Sequence, residues 1–241
     1  QRLTSLLDKH GRSPLHYAAF SAQGSTEMVE LLVCSKSNLG LRDEYAQTPL
    51  DRAVSSGRAV AVAALVAARA DLSTVDKHGR TALHCAVPVR DNAKVVSALL
   101  TDSLDSATVD ITDESGDVPQ SAQTPAAIAM VNLRDKKGRT ALFVAAAAGV
   151  VEAVELLIRG NADVNVPDSF GVSPLSAAAA KAAERVVTIL LDAGAAPDAQ
   201  DKDGCTALHH AALHGHSETV ATLLAGDADG TIQSNNGVVF N

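Results

Sequence analysis

The feature that most constrains this chain is a period. Segments opening at Asp135, Asp168 and Asp201 repeat one another, and the steps 135→168→201→234 are each 33 residues. The unit is clearest over Asp135–Pro167, DKKGRTALFVAAAAGVVEAVELLIRGNADVNVP. Asp135, Gly138 and Thr140 form a D-x-x-G-x-T turn, in which glycine suits a positive φ. Thr140 is placed to cap a helix, its hydroxyl accepting an orphan backbone N–H. The pattern predicts a short Ala-rich helix over 141–148, broken by Gly149. It predicts a second over 151–159, with Val151, Val154, Leu157 and Ile158 on one face. Gly160 or Asn161 supplies a left-handed cap, and ADVNVP then runs extended into the next unit. Each such unit depends on its neighbours to cover its apolar faces.

T-A-L-H occurs at Thr81–His84 and Thr206–His209, S-P-L-H at Ser13–His16, and A-D-V-N at Ala162–Asn165. A turn and two helices at this period, with these T-P-L-H-x-A-like signatures, resemble the ankyrin repeat, over nearly the whole chain. The resemblance implies an all-α ankyrin-repeat solenoid of helix-turn-helix units with short β-hairpin-like loops. Repeats are expected at about 8–42, 43–75, 76–112, 113–134, 135–167, 168–200 and 201–233, with 234–241 opening a further repeat or a cap. Repeat one has two extra residues around Ala22–Ser25. Repeat three has small insertions near Arg90–Asn92 and Thr101–Ser106, and Pro88 ends its first helix early. In repeat two Ala46 and Arg69 replace the glycines of the turn and the helix end, which weakens local geometry without changing the architecture. Asp51 there replaces the motif histidine. Repeat four is irregular: 113→135 is only 22 residues. A turn at DESG, a loop over Gly116–Thr124, a helix over Thr124–Met130 and a tail over Val131–Arg134 are expected, and the second helix is missing. That gap reads as residues absent between Met130 and Val131 in preference to a decayed repeat.

Of the 241 residues 46% are hydrophobic, but only 2% are aromatic and none is Trp, so the core is Ala, Leu and Val between close-set helices. Leu156, Leu157, Val187, Leu190, Leu191, Leu223 and Leu224 are expected to supply much of it. The net charge of −8 argues against direct nucleic-acid binding through a generally basic surface. Cys34, Cys85 and Cys205 form no C-x-x-C pair and read as reduced thiols, which suits the cytoplasm or nucleus. No apolar run approaches the ~18 residues of a membrane span, and no signal peptide is visible. The chain opens in mid-pattern and without Met, as a fragment would.

Chemistry is harder to find than surface. His16, His84 and His209 share one motif position, where the resemblance implies a structural role bonding backbone between neighbouring turns. His209, His210, His214 and His216 cluster, with His210 and His214 at zinc-compatible spacing. No thiol or acid is placed to complete that set, so they read as a repeat histidine with surface neighbours and no metal is expected. No phosphate loop, kinase signature or Ser-His-Asp arrangement is present. An enzyme is therefore not expected, nor a cofactor.

What remains is a surface. In the family that the sequence resembles, turn tips and first helices line a concave face that binds proteins. The tips of repeats one, three and five carry Lys9, His10 and Arg12; Lys77, His78 and Arg80; and Lys136, Lys137 and Arg139. Tyr45 and Phe170 stand at the tips of repeats two and six. Basic tips with Phe170 as an apolar contact predict a partner protein offering an acidic segment with an apolar anchor, bound by a monomer. The fallback surface is the first helices around Phe20, Ser55 and His214. Asn165, in LLIRGNADVN, resembles the sites that asparaginyl hydroxylase modifies in ankyrin proteins. Two alternatives to a free-standing scaffold stay open: a regulatory or targeting segment of a larger enzyme, channel or ubiquitin-ligase adaptor, and an ankyrin-type transcriptional regulator.

Overall fold

Short helices this rich in alanine need strong end signals, and the computed structural model shows them in place. It describes residues 7–21, 26–89, 92–104, 130–235 and 237. These fall into two compact units, one within Gln1–Leu133 and the other within Arg134–Asn241. In the first unit the helices are α1 Pro14–Phe20, α2 Thr26–Cys34, α3 Pro49–Ser55, α4 Ala59–Ala67, α5 Ala82–Ala86 and α6 Asn92–Leu104. In the second they are α7 Ala141–Ala148, α8 Val151–Arg159, α9 Pro174–Ala179, α10 Glu184–Asp192, α11 Ala207–Leu213 and α12 Ser217–Ala225. The expected 141–148 and 151–159 are reproduced. α6 runs about a turn further than the expected 93–100. Among the described residues no strand occurs, and the hairpin-like tips are hydrogen-bonded turns. The insertion around 22–25, residues 90–91 of that near 90–92, residues 105–106 of that near 101–106, and the turn, loop and most of the helix expected in repeat four lie outside the described residues, while Asn92 and 101–104 belong to α6. Val131, read as the start of the repeat's tail, is helical and is buried.

The caps follow the side chains. Thr140 Oγ1 accepts from Phe143 N at 3.1 Å, and Ser173 Oγ accepts from Ser176 N at 3.1 Å. Pro14, Pro49 and Pro174 occupy the first helical position, where a missing N–H costs nothing. At the end of α8, Asn161 has φ 61°, so Asn161 and not Gly160 supplies the left-handed residue. Gly138 has φ 75°, and a Cβ there would lie 2.8 Å from Ser169 N. Ala46 and Arg69 adopt φ 60° and 65°, the left-handed backbone of the glycines they replace. The architecture is kept and the cost is local strain.

Within each unit, first helices pack on first helices and second on second: α1–α3–α5 and α2–α4–α6, then α7–α9–α11 and α8–α10–α12. The layer between them is filled by Leu15, Leu50, Leu65 and Leu99 in the first unit. Leu142, Leu157, Leu175, Leu190, Leu208 and Leu223 fill it in the second, and all ten are fully buried. Three expected core residues need correction. Leu156 and Leu191 are half-buried, and Leu224 is 44% exposed. One helical position is a turn of about 100°, so Leu156, Leu191 and Leu224, each next to a fully buried leucine, lie toward the flank of the buried face. Leu191 is partly covered by the following pair, since its Cδ1 sits where a Cβ on Gly226 would be, at 2.7 Å. Leu224 has no following second helix over it among the described residues.

Candidate partner-binding surface

Each tip is organised by its opening aspartate. Asp76 Oδ1 accepts from His78 N at 2.8 Å and Arg80 N at 2.9 Å, while Oδ2 accepts from Arg80 Nε at 2.9 Å. Asp135 does the same with Lys137 N, Arg139 N and the Arg139 guanidinium, the closest contact being 2.7 Å. In repeat two Oδ2 of Asp43 instead takes Arg52 from α3, at 3.0 Å from Nε and 2.8 Å from Nη2. Burial pushes the Asp43, Asp76 and Asp135 carboxyls up, but backbone N–H groups and arginine outweigh it and hold all three below the usual range. Asp8 is held down to about 2, first by the Tyr17 hydroxyl at 2.6 Å and then by Arg12 N–H. Successive tips are laced by one backbone bond each: Glu44 N to His10 O, Ser169 N to Lys137 O, Lys202 N to Phe170 O and Asn235 N to Asp203 O.

The predicted binding residues divide between the two units. In the first, Lys9, Lys77 and His78 are exposed. His10 Nδ1 lies 2.8 Å from Glu44 Oε1, with Arg12 Nη2 3.9 Å from the same oxygen. Arg80 is tied to Asp76, and Tyr45 is 49% exposed. In the second, Lys136 and Lys137 are exposed, Arg139 is tied to Asp135 and Phe170 is 67% exposed. The lysines thus present charge outward, whereas the tip arginines are part of the turns that display it. Asn165 is exposed, but its amide is engaged: Oδ1 accepts from Ala196 N at 2.8 Å, and Nδ2 donates to Gly194 O at 3.2 Å.

The motif histidines cap their own turns, and His16 also bridges to the next. Ser13 N donates to His16 Nδ1 at 3.1 Å, which leaves Nε2–H to donate to Gln47 O of the next tip, also at 3.1 Å. Burial pushes the His16 ring down, toward the neutral form this arrangement requires. Thr81 N and Thr206 N donate to His84 and His209 in the same way, both at 3.2 Å. Asp51 fills this position in repeat two. Its Oδ2 accepts from Thr48 N and Thr48 Oγ1 at 2.9 Å, and burial pushes its carboxyl up. His210 Nε2 lies 2.8 Å from Asp201 Oδ2, and His214 Nδ1 lies 2.8 Å from His210 O. Among the described residues no three His, Cys, Asp or Glu side chains are grouped to hold a metal.

Sequence reasoning passed over Tyr17 and Arg52. Arg52 lies under two rings, its guanidinium carbon 5.9 Å from the Phe20 centroid and 6.0 Å from that of Tyr45. Beside them is a cavity of about 230 Å³ lined by Arg12, His16, Tyr17, Phe20 and Arg52. A second cavity of about 570 Å³ lies between α3 and α5, with Ser55, Gly57, Arg80, Cys85 and Pro88 in its wall. Burial pushes the Cys85 thiol up to about 11, so it is a neutral wall group. The available signal was scarcity: the chain has only two Tyr and four Phe, and Tyr17, Phe20 and Tyr45 fall in its first two repeats.

A family profile of ankyrin repeats (three copies) matches residues 15–113, 121–201 and 160–235. The crystal structure of the ankyrin repeat domain of Bcl-3, a unique member of the IkappaB protein family, superposes with TM-score 0.77 and 30% identity, covering 96% of this chain and 93% of that one. In sequence the chain is 31% identical over 163 residues to the B-cell lymphoma 3 protein homolog of Mus musculus, covering 67% of this chain and 32% of the relative. It is 34% identical over 152 residues to the probable E3 ubiquitin-protein ligase XBOS32 of Oryza sativa subsp. japonica, covering 61% and 30%. The chain therefore spans about a third of these curated relatives.

Proposed function

This chain belongs to the ankyrin-repeat family, and from that premise we propose that it is a non-enzymatic scaffold that binds a partner protein through its turn tips and concave first-helix face. Ankyrin repeats are protein–protein interaction domains, and the fold is typically non-enzymatic. One observation carries the reading to particular residues. The tip aspartates and motif histidines turn inward to hold backbone, while Lys77, His78, Lys136, Lys137, Tyr45 and Phe170 are exposed on the tips. That pairing of cations with apolar groups suits an acidic segment with an apolar anchor. The scaffold acts as a monomer without touching nucleic acid directly. It works in the cytoplasm or nucleus, in keeping with three free cysteines, one of them exposed. Among the described residues no helix is long and apolar enough to cross a membrane.

A second reading is favoured by the relatives. They are about three times the length matched here, and one is a probable ubiquitin ligase and another a homolog of Bcl-3. The same scaffold then serves as the targeting segment of a larger ligase or as a transcriptional regulator of the IkappaB kind. Affinity capture followed by mass spectrometry identifies the partner and separates the two. With the captured partner, Lys136→Glu with Lys137→Glu slows association and flattens its salt dependence, and Phe170→Ala mainly speeds dissociation. An association rate unchanged at low salt rejects the tips as the site.

A further inference from the structure

The first unit concentrates exposed rings around one buried ion pair. Tyr17, Phe20 and Tyr45 are 52%, 55% and 49% exposed. α1 supplies the first two, the tip of repeat two supplies Tyr45, and α3 supplies Arg52 between them. Arg52 is held in register by Asp43, whose side chain is 0% exposed, so the Phe20 and Tyr45 rings sit against a fixed cation and not a mobile one. The neighbouring cavity of about 230 Å³ is smaller than the ~300 Å³ at which small-molecule sites begin, and suits one bulky side chain. The larger cavity beyond α3 has Pro88 in its wall, just after α5, which has five residues where α1 and α3 have seven.

Burial also sorts the charges on this face. Asp43, Asp51 and Asp76 are all buried and bonded to backbone. Arg12, Arg52 and Arg80 keep side-chain exposures of 26%, 17% and 38% and line the two cavities. Of the acids left outside, Asp8 is bonded to Tyr17, and Glu44 to His10 with Arg12 close by. A chain of net charge −8 thus offers arginine edges beside aromatic faces here. Tyrosine and arginine are the residue types that dominate binding hot spots, and hydrogen bonds between arginine and a carboxylate are charge-assisted.

We propose that this face of α1, α3 and α5 binds an extended acidic segment of a partner protein. One bulky apolar side chain of that segment is anchored between Tyr17, Phe20 and Arg52, and its carboxylates lie toward Arg12 and Arg80. The proposal rests on the protein-binding reading above and adds an anchor pocket distinct from Phe170.

The chain has no tryptophan, so a tryptophan in a probe reports its own burial. Three short synthetic peptides are titrated against the full chain: one rich in Asp and Glu with a central Trp, the same peptide with Ser for Trp, and a Lys-rich peptide with Trp. The acidic Trp peptide binds with a blue-shifted emission and weakens with salt, and the other two bind at least about tenfold more weakly. Phe20→Ala weakens the acidic Trp peptide by about tenfold and Tyr45→Ala weakens it too; the melting temperature of each variant checks that it is folded. Four results each overturn the proposal: no binding of the acidic Trp peptide at millimolar concentration, equal binding of the Ser peptide, equal binding of the Lys-rich peptide, or indifference to Phe20→Ala. A captured partner that still binds the Phe20→Ala chain normally refutes the pocket and leaves the scaffold reading standing. A chain that captures no partner refutes that reading itself.

Discussion

Leu157→Ala is the sharpest test of how the second unit holds together. Leu157 is 0% exposed in the seam where α8 meets α10. Removing three carbons forfeits about 2.4 kcal/mol at ~0.8 kcal/mol for each buried CH₂. Because α8 and α10 are tied into successive turns they cannot collapse fully, and the cavity term brings the total to about 3–5 kcal/mol. In a unit of this size each kilocalorie lowers the melting midpoint by about 4–8 °C, so a fall of at least ~10 °C is expected in a thermal melt followed by circular dichroism. Leu224→Ala removes the same atoms from a side chain 44% exposed and is expected to cost under ~1.5 kcal/mol, part of the transfer term and little cavity. Amide exchange should show that Leu157→Ala loosens α10 in the next repeat as well as α8, because each repeat is stabilised by its neighbour. Equal shifts for the two variants, or an unchanged melt for Leu157→Ala, would refute the packing argument.

Three further outcomes follow from single positions. Asp51 has its folded carboxyl raised by burial, so its contribution is most favourable below pH 3.8 and is lost as pH rises through the folded value; Asp51→Asn should therefore gain stability relative to the parent at pH 7 and gain less near pH 4 in urea unfolding. Ala46→Gly should raise stability by about 0.5–1 kcal/mol, because the ~1–2 kcal/mol strain of a left-handed alanine is relieved and partly offset by a freer unfolded chain; no gain in denaturation midpoint contradicts this. For Asn165 we propose hydroxylation by an asparaginyl hydroxylase where the cell has one, detected as one added oxygen on its peptide by mass spectrometry; since the amide bridges to Gly194 and Ala196, modification should proceed faster after mild destabilisation, and an unmodified peptide after incubation with the enzyme and its cofactors ends the idea.

Much of the fold was legible because its signals are local. The D-x-x-G-x-T turn, the Thr140 cap and the bounds of α7 and α8 each depend on a few consecutive residues. Backbone geometry there is set by short-range sterics and hydrogen bonds. The motif histidine was legible for the same reason in its Nδ1 bond, three residues from its donor. Its Nε2 bond to Gln47 O, 31 residues away, needed the next repeat in place. The binding tips were legible as residue types at turns, but not as exposed or engaged groups. Lys137 and Arg139 read alike in the sequence, and only the fold binds one to Asp135 and leaves the other exposed.

The sequence by itself therefore determined the repeat, the helix pairs and which positions are tips, since these rest on spacing and local propensity. Tertiary structure alone decided that Asp43 reaches Arg52 of α3 while Asp76 takes its own tip arginine, that Phe20 and Tyr45 meet around that cation, and that Leu191 is covered where Leu224 is not. Such outcomes depend on which surfaces the neighbouring repeats bring within a few ångströms. A one-dimensional pattern of residue types does not carry the relative placement of side chains tens of positions apart.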